Sequence, residues 1–224
     1  MGTHLLTGAG SGIGAALARR LQDRGEELVL LARNGDRAEE LAAAHPGART
    51  VVADLATPSA VTGLDIPDRL DSVVHSAGIV DVATVADTAP ESLASTVTVD
   101  LVAPMLLTRA VLQAVRRAAG THVFVNSGSG LRANPQWASY NAAKFGLRGF
   151  ADALRQEEQP FGVRVSTVYP GRTATPMQEQ VHAQEGKEYD ESAWIRPDTV
   201  VDAILHVLDL PDDATIPDLV VRPR

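Results

Sequence analysis

Two hydrophobic periods alternate along the chain. Short apolar runs predict buried strands over residues 4–7, 28–32, 50–53, 72–75, 122–126, 163–169 and 219–221. Between them, apolar positions spaced three and four apart predict helices over 13–24, 37–44, 91–118, 138–158 and 199–208. Alternation of this kind implies parallel strands joined by right-handed helical crossovers, hence an open, doubly wound α/β sheet. The crossover at 54–70 carries Pro58, Gly63 and Pro67, so its helix is predicted to be short or broken. Residues 178–196 are polar and weakly periodic. They read as an excursion from the sheet, and a small substrate lid is expected at about 176–196. No repeat, low-complexity tract or linker interrupts the pattern, so one domain over 1–224 is expected.

Composition narrows the possibilities. With 224 residues, 45% of them hydrophobic, the chain can bury one sizeable core. Twenty Lys and Arg stand against 28 Asp and Glu, giving a formal charge of −8, which does not invite nucleic acid. Cysteine is absent, which removes disulfides, thiolate nucleophiles and thiolate metal sites together. No stretch approaches the roughly 18 apolar residues of a membrane helix, and no basic-then-apolar leader opens the chain. A cytoplasmic protein without a nucleic-acid or membrane partner is expected. The six His residues lack ligand spacing, so no metal is expected.

The stretch TGAGSGIG at residues 7–14 joins the first predicted strand to the first predicted helix. Its glycines follow Gly-x-x-x-Gly-x-Gly through Gly8, Gly12 and Gly14; Ile13 excludes the better known Gly-x-Gly-x-x-Gly. Glycine there admits a close approach to a helix N-terminus, whose amides and dipole favour the pyrophosphate of a dinucleotide. Alone, the cluster is weak evidence, since a merely tight strand-to-helix connection also uses glycine; the strand before it and the amphipathic helix after it favour the dinucleotide.

A second constellation is Tyr140-Asn-Ala-Ala-Lys144. Positions four apart share a helix face, so the ammonium can lie beside the phenol. One charge at ~4 Å and an effective dielectric of ~20 is worth about 4 kcal/mol, enough to lower a phenol pKa by as much as ~3 and to make it a general acid or base. A surface Tyr and Lys on one helix would give the same spacing. Ser127, however, follows the predicted strand HVFVN, at the edge where doubly wound sheets build their sites.

Together these motifs resemble the short-chain dehydrogenase/reductase family, of the classical, single-domain type, and the likeness runs over essentially the whole chain. The resemblance implies a Rossmann-like sheet of about seven strands in three α/β/α layers. It implies catalysis by Ser127, Tyr140 and Lys144. It implies cofactor contacts from Gly8, Ser11, Gly12, Ile13 and Gly14, from Asp54 and Leu55 after the third strand, and from Pro170, Gly171, Thr173 and Thr175 after the sixth. The family's Asn-Asn-Ala-Gly after the fourth strand is met by His75-Ser76-Ala77-Gly78, which keeps only the Ala-Gly half. Within TVTVDLVAP, Asp100 stands where the family usually has an Asn that completes a proton relay to the lysine. Asp can replace it if the backbone carbonyl carries the role, and cannot if the side-chain amide does; a locally hydrogen-bonded residue at a helix kink is the other reading.

Cofactor choice rests on the end of the second strand, where an acid would bind a ribose 2′-hydroxyl. Here Ala32 takes that position and Arg33 follows, ready to meet a 2′-phosphate, so NADP(H) is expected over NAD(H). Asp36 is the residue that would serve NAD if the loop folded back, and Ser11 adds no second cation to the glycine loop. The expected reaction is hydride transfer between nicotinamide and a small ketone, aldehyde or secondary alcohol. A lyase or epimerase on the same scaffold, and a non-catalytic dinucleotide sensor, are the alternatives. Ser129, Leu131, Trp137, Met177, Val181 and Trp194 are the pocket candidates. The predicted helix at 91–118 is apolar on more than one face, and the resemblance implies that a second subunit covers it in a homodimer or homotetramer.

Overall fold

A computed structural model describes residues 1–224, with Pro58 described by its backbone alone. Seven strands, β1 (Thr3–Thr7), β2 (Glu27–Ala32), β3 (Arg49–Val52), β4 (Ser72–His75), β5 (Thr121–Val125), β6 (Arg164–Pro170) and β7 (Asp218–Val221), form one sheet in the order β3-β2-β1-β4-β5-β6-β7. Every pairing is parallel. The strand order reverses between β1 and β4, which opens a crevice at the carboxyl ends of those strands.

Why apolar runs rather than alternating ones make these strands is plain at Leu5 and Leu6, neighbours on β1 that are both 0% exposed. Leu6 packs with Leu17 and Leu21 of helix α1 (Gly12–Asp23), Leu41 of α2 (Gly35–Ala44) and Ile204 of α7 (Pro197–Leu208). Leu5 points the other way, to Leu107, Val111 and Val115 of α4 (Ala103–Ala118). Beside it, Phe124 packs on Leu147 and Ala151 of α5 (Ala138–Glu158). Each fully buried side chain of this size contributes about 1.5–3 kcal/mol, so both sheet faces need helical cover.

The sequence predicts one regular helix at 91–118. The structure has α3 (Pro90–Val97), a π turn at Thr98–Val102, and then α4. Pro104 has no N–H to donate to the carbonyl of Asp100, so the i→i−4 ladder cannot run through this turn. By length and composition the helical run Pro90–Ala118 is apolar enough to cross a membrane, which corrects the expectation that no stretch approaches that limit. Its small hydroxylated residues break the apolar run in sequence without adding charge, and Leu107, Val111 and Val115 face the sheet.

The crossover at 54–70 forms only a 3-10 turn, Pro58–Val61. Within the polar excursion lies a helix the periodicity missed, α6 (Pro176–Gln184). Its buried positions are Gln178, Val181 and His182, two of them polar, so no apolar stripe marks it.

Candidate active site

A cleft of about 1280 Å³ runs across the carboxyl ends of β1, β4 and β5. Its lining includes Gly8, Ser11, Gly12, Ile13, Arg33, Asp54, Leu55, Ser76, Ala77, Gly78, Ser127, Tyr140, Lys144, Pro170, Gly171, Thr173 and Thr175. Of the predicted site residues, Gly14 alone is not in this lining. It sits buried behind the loop, where a Cβ would collide with the carbonyl oxygen of Gly8. Gly8 has φ +72°, and a Cβ on it would lie 2.8 Å from the backbone nitrogen of Ala77. That segment is held in turn by Thr7, whose hydroxyl accepts from the N–H groups of Ser76 and Ala77, both at 3.0 Å. Ser11 caps α1 by backbone only, so the helix's first N–H groups take no bond from its hydroxyl.

At the β2 end the cleft carries two cations rather than the one read from the sequence. Arg33 is exposed at the rim. Arg37, in the first turn of α2, also lines the cleft, donates to the Gly10 carbonyl at 2.6 Å and pairs with Glu40. Asn34 caps α2 by accepting the Arg37 N–H at 2.9 Å, which fixes the turn that aims Arg37 at the glycine loop. Asp36 is exposed and lies outside the cleft lining. Asp54 accepts from the Ala56 N–H at 2.9 Å, holding the turn after β3.

At the β5 end, Asn126 and Ser127 follow the strand. Asn126 Oδ1 accepts from the Ser127 N–H at 2.8 Å, and Nδ2 donates to the carbonyl of Lys144 at 3.0 Å. Ser127 Oγ accepts from the Ser129 N–H at 3.1 Å. Tyr140 and Lys144, four apart on α5, are both buried, with the ammonium 5.3 Å from the phenol ring centroid. Asp100 also reaches this point: Oδ2 lies 3.6 Å from Lys144 Nζ, and Oδ1 accepts from the Ile79 N–H at 2.8 Å.

The expectation that Lys144 leaves the phenol more acidic than usual is corrected here. Burial is the largest influence and raises the Tyr140 pKa; Lys144 lowers it, Asp100 raises it again, and hydrogen bonding from Ser127 lowers it. The outcome is a phenol above its ordinary value. Burial lowers Lys144, but Asp100 first and Tyr140 next outweigh it, so the ammonium is held above its usual range.

The segment after β6 closes the remaining side. Thr173 is buried and donates to the Gly171 carbonyl at 3.0 Å; Thr175 caps α6, accepting from Gln178 N–H at 3.3 Å. Ser129, Trp137, Met177 and Val181 line the cleft, whereas Leu131 and Trp194 do not. Trp194 packs instead on His182 of α6, with ring centroids 5.1 Å apart. Arg172, which the sequence did not single out, lines the cleft and forks onto Glu185 at 2.5 and 3.1 Å.

The short chain dehydrogenase family model matches residues 3–186. A short-chain type dehydrogenase/reductase of Sinorhizobium fredii is 31% identical over 98% of this chain and 90% of its own length. Among solved structures, an alcohol dehydrogenase of Thermococcus sibiricus complexed with 5-hydroxy-NADP superposes with TM-score 0.83 at 24% identity, covering 100% of this chain and 97% of that one. A 3-ketoacyl-(acyl-carrier-protein) reductase of Brucella melitensis complexed with NADH gives TM-score 0.84 at 24% identity, covering 99% and 96%. At that identity the two structures speak for the fold, while the family match and the close relative speak for descent: this chain belongs to the short-chain dehydrogenase/reductase family and is an oxidoreductase.

Proposed function

We propose that the protein is an NADP(H)-dependent oxidoreductase acting on a small ketone, aldehyde or secondary alcohol, with Tyr140 as general acid and base. The observation that carries this reading is the layout of one cleft: two arginines at one end, the glycine loop in the middle, and Ser127, Tyr140 and Lys144 at the other. The lining fits a nicotinamide dinucleotide. A Cβ at Gly8 would collide with the Ala77 backbone and one at Gly14 with the Gly8 carbonyl, so only glycine lets the loop close tightly beside the N-terminus of α1, which suits a pyrophosphate, and Arg33 with Arg37 suits a 2′-phosphate. Both solved structures named above, alike in fold, carry nicotinamide dinucleotides, one of NADP type and one NADH.

When bound, the cofactor supplies or accepts the hydride. The chain's own residues do the rest. Ser127 and Tyr140 donate hydrogen bonds to the substrate oxygen and stabilise its negative charge during reduction. Tyr140 then delivers its proton to that oxygen, and takes it back in the oxidative direction. Lys144 faces the phenol and would hold the nicotinamide ribose. Thr173 would offer its backbone N–H to the carboxamide, and Asp54 with Leu55 would border the adenine. Trp137, Met177 and Val181 exclude water around the substrate.

A homodimer or homotetramer fits the exposed apolar side chains on the helices of one sheet face. Leu93 on α3, Met105 on α4 and Phe145 on α5 are 49%, 39% and 42% exposed. The test of function is a panel of carbonyl compounds assayed with NADPH and with NADH. NADPH consumption coupled to carbonyl loss is expected. Product without net consumption would indicate a lyase or epimerase, and neither would indicate a sensor.

A further inference from the structure

Asp100 is 0% exposed, and a buried carboxylate costs several kcal/mol of desolvation unless it is paired. It lies in the π turn Thr98–Val102, where the helix register is already broken. Oδ1 takes the Ile79 N–H; Oδ2 has no hydrogen-bond partner and faces the Lys144 ammonium at 3.6 Å. Room for the carboxylate is kept by Gly78, since a Cβ there would stand 3.1 Å from Oδ1. One ammonium is therefore shared by two acids, the Asp100 carboxyl and the Tyr140 phenol.

Few other groups face this trio. Helix α5 contributes Tyr140 and Lys144, the π turn contributes Asp100, the loop after β5 the Ser127 hydroxyl, and the loop after β4 the Ile79 N–H. His75, at the end of β4, is turned to Thr108 at 3.3 Å and stacked on Phe124. The charges that act on Asp100, Tyr140 and Lys144 are those of one another. An amide at position 100 would leave a net positive charge beside the phenol, whereas a carboxylate cancels it.

We propose that Asp100 is a positioning residue that holds Lys144 and neutralises its charge, so that Tyr140 stays protonated and the site favours carbonyl reduction over alcohol oxidation. The inference rests on the reading of Tyr140 as proton carrier. Consistent with it, the Asp100 charge raises both the phenol and the ammonium. Burial raises Asp100 itself and outweighs Lys144 and the Ile79 N–H, which lower it, so its carboxyl lies above the ordinary carboxylate range.

The test replaces the charge and keeps the shape, through Asp100→Asn. The phenol is titrated directly by tyrosinate ultraviolet absorbance in the cofactor-free protein. Matched Tyr140→Phe proteins subtract Tyr169 and Tyr189, the other two of the three tyrosines. In parallel, kcat for oxidation and for reduction is followed against pH. The expected result is a Tyr140 transition lower by about one pH unit or more, tenfold in its acid constant, with the oxidation profile moving the same way. Asp100→Ser, also neutral, is expected to shift it in the same direction and serves if the Asn protein does not fold. An unshifted phenol in a folded variant overturns the proposal. A shifted phenol with an unmoved oxidation profile upholds the coupling and removes Tyr140 as proton carrier, so the two failures are separable.

Discussion

Asn126 Nδ2 donates to the carbonyl of Lys144 at 3.0 Å, tying the end of β5 to the turn of α5 that carries the lysine. The same side chain accepts from the N–H of Ser127, so one buried amide sets the spacing of serine and lysine. Asn126→Ala would leave the Ser127 N–H without its partner and remove the second donor on the Lys144 carbonyl, which lies inside α5. It is expected to lower stability by about 1–3 kcal/mol and kcat by about tenfold or more with KM changed less. Denaturant unfolding and steady-state kinetics measure the two effects, and an unchanged kcat would show that the tie is structural only.

Arg33 and Arg37 both line the β2 end of the cleft, but Arg37 also holds the Gly10 carbonyl. Arg33→Ala is expected to weaken NADPH binding by about tenfold to a hundredfold, with little effect on NADH. Arg37→Ala is expected to weaken NADPH similarly and NADH to a smaller degree, since the glycine loop loses its brace. Calorimetric titration of each variant with both dinucleotides is the measurement. Equal losses for the two cofactors would deny a 2′-phosphate site here.

Local relations were legible in the sequence, and relations between distant segments were not. Tyr140 and Lys144 share a helix face by spacing alone, and the helix over 138–158 has the predicted bounds. The strand 72–75 does too, because every one of its residues is buried. Asp100 and Lys144 meet across the layer between the π turn and α5, which no periodicity encodes. The direction of the phenol pKa was misread for the same reason: a pair spacing gives the ammonium but not the burial that outweighs it. Arg37 stayed hidden because the Asn34 cap, not the helix pattern, turns it to the glycine loop. Helix α6 was missed because it buries Gln178 and His182, hydrogen-bonded to each other at 2.9 Å, where an apolar pair would have shown.

His122 is buried on β5 with neither ring nitrogen hydrogen-bonded, and burial lowers its pKa to about 4. His75, stacked 5.9 Å away, is lowered as well, by burial and then by His122. Between the ordinary value of 6.5 and about 4 the unfolded chain binds a proton that folded His122 refuses, so stability falls as pH drops through that window. The loss from His122 amounts to about 3 kcal/mol. Replacing it, as in His122→Phe, is expected to flatten the dependence by that amount in denaturant midpoints taken across the window. Parallel wild-type and variant curves would refute the assignment.

Ala119 ends α4 in the left-handed region with φ +48°, a conformation that costs a Cβ-bearing residue about 1–2 kcal/mol. Ala119→Gly relieves that strain and gives back part of it as unfolded-chain entropy. A net stabilisation of about 0.5–1 kcal/mol is expected, read as a higher urea midpoint at unchanged slope.

Tyr140→Phe removes one oxygen from the floor of the cleft and leaves the glycine loop, both arginines and Lys144 in place. The most direct measurement is NADPH-dependent carbonyl reduction by this variant beside wild type, with NADPH affinity measured on the same preparation. A rate lower by about 10²-fold to 10⁴-fold at an affinity within about twofold is the expected result. A rate near that of wild type would contradict proton delivery by this phenol.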